Sequence, residues 1–211
     1  MTENPEVLRR MQEELDDVCG FGLPKPGHMQ RLVYVRAVVM ETLRWRPPLP
    51  MGVPHRLSQD DFYEGYYLPK DTLVFANAWS LNFDESHIDK PYSFQPERFL
   101  ANDFGVSGLT DKERLHRRST YAFGAGRRVC VGQRFAENSL VLAMAKIAWA
   151  YDIAADPERP IDSNVVTSYH DGLSRAPKPF QVLLDVRSSK HKATIRRQFE
   201  EADSFLASYE D

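Results

Sequence analysis

The ten residues Phe123-Gly124-Ala125-Gly126-Arg127-Arg128-Val129-Cys130-Val131-Gly132 constrain the fold more than any other stretch. Glycine is costly inside a helix or strand and cheap where the backbone must turn or closely approach another group. Three glycines in so short a span therefore demand a loop. The stretch from Gln133 to Tyr151 has a broad apolar face and predicts a long helix, so the loop must lie at that helix's start. A phosphate-cradling GxGxxG reading fails, because Val129 occupies the place of the third small residue. Read around Cys130, the loop is a sulfur site. Arg127 and Arg128 put positive charge beside it, and the helix that follows adds the positive end of its dipole. Such a cysteine can serve as a nucleophile, a redox sensor or a metal ligand, against the plainer alternative of an inert buried thiol.

Composition removes several classes. Cys19 and Cys130 are the two cysteines, with no CxxC, which argues against a disulfide framework or a structural zinc cluster. The balance of 27 basic and 30 acidic residues, net -3, does not favour nucleic acid as a partner. The start, Met1-Thr2-Glu3-Asn4-Pro5-Glu6, lacks the basic and apolar regions of an export signal. Lys146 and Asp152 interrupt the most apolar run, Leu140 to Ala155, so the chain reads as cytoplasmic, without signal or anchor.

Pro5 suits a first helical turn, and Val7, Leu8, Met11, Leu15 and Val18 recur at helical spacing until Gly20 and Gly22. A second helix is expected from about Met29 to Trp45, stopped by Pro47, Pro48 and Pro50. From Val53 to Trp79 the pattern predicts short antiparallel strands, with a turn at Glu64-Gly65 and a strand at Leu73 to Ala76. Asn82 to Thr120 is irregular and carries a basic run of Lys112, Arg114, His116, Arg117 and Arg118. Two strand-like pieces follow the long helix, one alternating Phe180, Val182, Leu184 and Val186. Lys190 to Tyr209 aligns Ile195, Phe199, Ala202 and Leu206 on one side of a charged helix or tail. The expected class is α+β, mainly helical, with no boundary before Ser188.

The pattern Phe-Gly-x-Gly-x-Arg-x-Cys-x-Gly at Phe123 to Gly132 resembles the haem-binding loop of the cytochrome P450 family. Glu41-Thr42-Leu43-Arg44, followed by prolines, is similar to the family's ExxR helix, and Phe94-Gln95-Pro96-Glu97-Arg98-Phe99 to its PERF segment. The three occur in the family's order. The resemblance implies the C-terminal portion of the P450 fold over residues 1–187, with 188–211 a charged extension, helical or disordered.

It further implies haem b, iron protoporphyrin IX, with Cys130 as the metal ligand and Phe123, Gly124, Gly126, Arg128 and Gly132 shaping the cofactor site. Arg128 would pair with a haem propionate. Arg56, after His55, resembles a second propionate contact. Glu41, Arg44 and Arg98 would form a buried structural network. Leu49 to Val53 and Tyr169 to Leu173 resemble segments that line the family's substrate pocket. The implied function is monooxygenation of a hydrophobic small molecule, with electrons from an NADPH-cytochrome P450 reductase-like donor docked near the basic run. NADPH would thus act only indirectly. No residue matches the distal acid–alcohol pair that delivers protons to oxygen, so no catalytic residue is assigned. The alternative expectation is a non-catalytic piece of such an enzyme with a partial haem site. Family members commonly sit on the endoplasmic reticulum membrane. A cysteine hydrolase would need one of His28, His55, His87, His116 or His170 as base, and no motif ties any of them to Cys130.

Overall fold

The computed structural model describes residues 1–106, 108, 110 and 118–207. Its contacts fall into two compact units: Met1–Val39 with Arg134–Asn164 and Pro179–Asp211, and Met40–Gln133 with Val165–Lys178. No composition shift marks these boundaries, because each unit is assembled from stretches distant in sequence.

In the first unit, α1 (Pro5–Cys19) starts on its proline and buries Val7, Leu8, Met11 and Leu15. Gly20, at φ +54°, ends it, its N–H reaching Asp16 O. The second helix, α2 (Val33–Trp45), begins later than the expected Met29. Residues 26–28 instead form a 3₁₀ turn. The carboxylate of Glu14 on α1 accepts the N–H groups of Tyr34 (2.7 Å) and Val35 (3.0 Å). This distant acidic cap satisfies the first orphan donors and so sets where α2 starts.

The long helix α5 (Gln133–Ala150) leads directly into strand β5 (Tyr151–Ala155), which pairs antiparallel with β6 (Val182–Val186), Tyr151 opposite Val186. Trp149 is fully buried, its indole N–H donating to Gly20 O at 2.8 Å. The segment from residue 188 forms α6 (Ser189–Ala207). It docks within this unit through buried His191, which stands edge-on to Trp149 and Phe21, and through Thr194, whose hydroxyl donates to Phe21 O. Arg187 holds Asp16 at 2.7 Å beside this joint.

In the second unit the proline stop after α2 is followed by two small ladders. Strand β1 (His55–Arg56) pairs with β4 (Leu73–Val74), and β2 (Asp61–Tyr63) with β3 (Tyr66–Leu68). The β2–β3 turn places both Glu64 (φ +51°) and Gly65 (φ +84°) in the left-handed region, as a two-residue hairpin requires. The strand expected through Ala76 stops at Val74. Asn77 ends it by capping α3 (Ala78–Asn82), its side-chain oxygen accepting Ser80 N–H at 3.0 Å. Helix α4 (Arg98–Ala101) is a single turn. Of the basic run, Arg118 is described, whereas Lys112, Arg114, His116 and Arg117 lie outside the described residues.

Candidate functional site

The second unit is organised around one buried carboxylate. Glu41, the last-but-four residue of α2, has 0% exposure. Arg44, one turn on, forms a fork against it, with Nε to Oε2 and Nη2 to Oε1 both 2.7 Å. The remaining guanidinium donors go to carbonyls: Nη1 to Asn82 O and Pro91 O, each 2.9 Å, and Nη2 to Ser93 O at 3.4 Å. All five donors of Arg44 are thus engaged. On the carboxylate side, Oε1 also accepts Gln95 N–H at 2.8 Å, and Oε2 lies 3.1 Å from Arg98 Nε. That last contact is an ion pair whose angle does not make a hydrogen bond, leaving the Arg98 Nε–H unpartnered. Arg98 instead donates from Nη1 to Asp89 O and from Nη2 to Ser93 O. Trp45 and Phe83 shield the cluster, their rings 5.5 and 5.4 Å from the Arg44 guanidinium carbon.

The structure therefore brings Glu41, Arg44 and Arg98 together, and adds partners the sequence did not mark. The carbonyls of Asn82, Asp89, Pro91 and Ser93 and the N–H of Gln95 are backbone groups, which every residue type carries. A buried ion network of this kind contributes orientation more than net stability, because desolvation offsets much of the attraction. Here it pins the long irregular stretch after α3 to the end of α2.

The glycine loop folds as its composition requires. Gly124 (φ +72°) and Gly126 (φ +66°) take left-handed turns, and residues 126–128 form a 3₁₀ turn closed by Val129 N–H on Gly126 O. Cys130 N–H returns to Phe123 O at 3.0 Å, and Cys130 O accepts Gln133 N–H at the start of α5. This closes the loop and sets Phe123 beside the cysteine backbone. Cys130 is exposed, as are Arg127 and Arg128. Val131, the next residue, is fully exposed, which leaves apolar surface open beside the cysteine. A Cβ on Gly132 would stand 3.8 Å from Cys130 Sγ, whereas positions 124 and 126 have no atom within 4 Å of theirs. Arg118 reaches Gln133 Oε1 at 3.3 Å, linking the last residue of the basic run to the first residue of α5.

Other expected site residues lie apart in the chain's local structure. Arg56, on β1, is largely exposed and pairs with Asp71 at 3.4 Å. The two segments expected to line a pocket are brought near each other by residues that flank them: Arg175 N–H donates to Pro48 O at 2.8 Å. Between them runs a small groove lined by Arg46, Pro47, Pro50, Trp79, Val165 and Tyr169, with the Arg175 guanidinium over the Tyr169 ring. His28 Nδ1 stands 3.2 Å from the sulfur of Cys19, the other cysteine. Burial pushes the Cys19 thiol above its ordinary range, and the nearby Arg31 charge only partly opposes this. Among the described residues, no group of three or more His, Cys, Asp or Glu side chains is arranged to hold a metal ion by itself.

A sequence profile of the family described as Cytochrome P450 matches residues 1–184. The chain belongs to the cytochrome P450 family. The cytochrome P450 monooxygenase yanC of Aspergillus niger is 40% identical over 217 residues, covering 97% of this chain and 39% of that protein. The cytochrome P450 monooxygenase macC of Penicillium terrestre is 37% identical, covering 95% and 38%. A zebrafish cytochrome P450, solved with abiraterone, superimposes with a TM-score of 0.72 at 30% identity, over 88% of this chain and 40% of that one. The chain thus spans about two fifths of the length of the curated relatives it matches. The α+β architecture with short antiparallel pairs is that of a P450, and the relatives' names assign the chain to a family of monooxygenases. No described helix is long and apolar enough to cross a membrane.

The P450 family implies haem, and this loop suits a flat iron-bearing group. It offers one exposed sulfur, glycines without side chains on the backbone around it, and an uncovered apolar side chain at Val131.

Proposed function

We propose that Cys130 is the sulfur ligand of a haem and that this P450 chain supplies the thiolate-bearing wall of a monooxygenase site. The observation that carries this reading is the exposed Cys130, held by the Phe123–Cys130 backbone bond in a glycine turn that opens α5. Bound there, haem with a thiolate ligand supplies oxygen activation, because the sulfur's electron density favours O–O cleavage.

This chain's own residues hold and orient. With no side chains at Gly124, Gly126 and Gly132, the backbone around Cys130 would let a bound group approach closely. Phe123 and Val131 would offer the group apolar contact beside the cysteine. Arg128 and Arg56, both exposed, offer forked cations to the propionates. The ion network of Glu41, Arg44 and Arg98 positions the segment that leads toward the loop. The groove shared by the proline turn and the Tyr169 segment is apolar in most of its lining, which suits a hydrophobic substrate. Exposed Arg127 adds positive charge at the loop that would suit an acidic electron donor of the NADPH-reductase class.

The test is reconstitution of the chain with haem, followed by reduction and carbon monoxide. A thiolate-type Soret band that disappears in Cys130→Ser is the expected result. Haem uptake without that band, or a band that persists in Cys130→Ser, would overturn the assignment.

A further inference from the structure

Helix α6 carries its charge in an order that its own geometry disfavours. Lys190, Lys192, Arg196 and Arg197 occupy its N-terminal half, and Glu200, Glu201 and Asp203 its C-terminal half. No acid stands in the first turn and no base in the last, so the charges oppose the helix dipole at both ends. The Arg197–Glu201 pair, at 3.9 Å and largely exposed, is the weaker i, i+4 orientation and compensates little. The helix also leaves apolar surface open. Half-buried Ile195 and exposed Phe199, Ala202 and Leu206 recur at helical spacing along one stripe, beside the face that buries His191 and Thr194. Phe199 is 69% exposed and Leu206 62%.

We infer that this stripe is the contact surface for a second copy of the chain, docked with the two α6 helices antiparallel. Antiparallel docking brings the basic half of each helix against the acidic half of the other and aligns the two dipoles favourably. It sets the large Phe199 beside the small Ala202 of the second copy, and Ile195 beside its Leu206. In that register Arg196, on the open flank of the stripe, comes nearly level with Asp203 of the second copy, with Lys192 and Glu200 farther along the same flank. A parallel arrangement would oppose like charges along the whole length, so charge order selects the orientation as well as the partner. A contact of two helices about 28 Å long, each of 19 residues, is smaller than a durable interface. The expected dimer is weak and concentration-dependent.

The experiment is sedimentation velocity on the full chain from about 1 µM to about 1 mM, with reductant present so that exposed Cys130 cannot crosslink copies. The wild type is expected to shift toward dimer as concentration rises, and less so in high salt. Phe199→Asp should weaken association by roughly a hundredfold. The pairs K192E/R196E and E200K/D203K should each weaken it by roughly tenfold. Mixing those two variants should give a heterodimer, and combining all four changes in one chain should restore self-association. The substituted residues are exposed, and far-UV circular dichroism checks that each variant keeps its helix content. A wild type that stays monomeric throughout, a dimer indifferent to Phe199→Asp, or charge variants that fail to pair when mixed would each overturn the proposal. So would capture of α6 on anionic vesicles with no dimer in solution, which would make the occupant a lipid surface.

Discussion

The Glu41 cluster and the Cys130 loop sit in the same unit and treat polar chemistry in opposite ways. At Glu41, charge is withdrawn from water and nearly every donor and acceptor is answered, mostly by backbone carbonyls. At Cys130, the reactive atom is left at the surface with apolar neighbours uncovered. One arrangement holds the chain and the other presents chemistry. The contrast means that the fold should be sensitive to the first site and indifferent to the second.

The sharpest way to break this contrast is Glu41→Ala. It strands the buried Arg44 charge, and chemical denaturation should show a loss of about 3–5 kcal/mol. An effect near zero would make the cluster no more than a surface pair. Arg98→Lys is milder: it removes the fork that reaches Asp89 O and Ser93 O while keeping the charge, with an expected loss of about 1–3 kcal/mol in the same measurement.

The joint at α6 supplies a pH-dependent comparison. Burial of His191 among Trp149, Phe21 and Thr194, and then the nearby Arg187 charge, hold its imidazole below the ordinary 6.5. Asp16 and Asp152 pull the other way, and Lys190 stands over the Phe21 ring. The unfolded chain therefore takes up this proton before the folded one does. The His191 contribution is fully present above about pH 6.5 and declines as pH falls through that value toward the folded imidazole's lower one. Denaturation curves from pH 8 to pH 5 should show wild type losing stability relative to His191→Gln, a modest effect. A parallel course for the two proteins would place the ring in water.

Smallest of all is the effect of Cys130→Ser on the fold, expected within about 0.5 kcal/mol because the side chain is exposed. The same substitution should remove the thiolate spectrum entirely. A large destabilisation would show that the loop is structural, and the contrast with Glu41 would dissolve.

Much of the local architecture was legible in the residues. The proline stop after Trp45, the Glu64-Gly65 hairpin and the loop-to-helix passage at Gly132 all depend on neighbours in sequence, and all three appear. The misplaced start of α2 came from Glu14, a cap supplied from another helix that no local pattern near Met29 reveals. Likewise the expected strand through Ala76 gave way to the Asn77 cap, a competition between two plausible local signals.

By itself the sequence determined the chemistry on offer: one cysteine in a glycine turn, a Glu–Arg pair at helical spacing, and a second arginine beyond a proline. These are statements about residue type and short spacing, which the backbone translates directly. Tertiary structure alone decided what those groups meet. Arg44 ends on the carbonyls of Asn82, Pro91 and Ser93, and Trp149 finds Gly20 O across the first unit. Every residue carries a carbonyl, so no letter in the sequence can mark which one will accept.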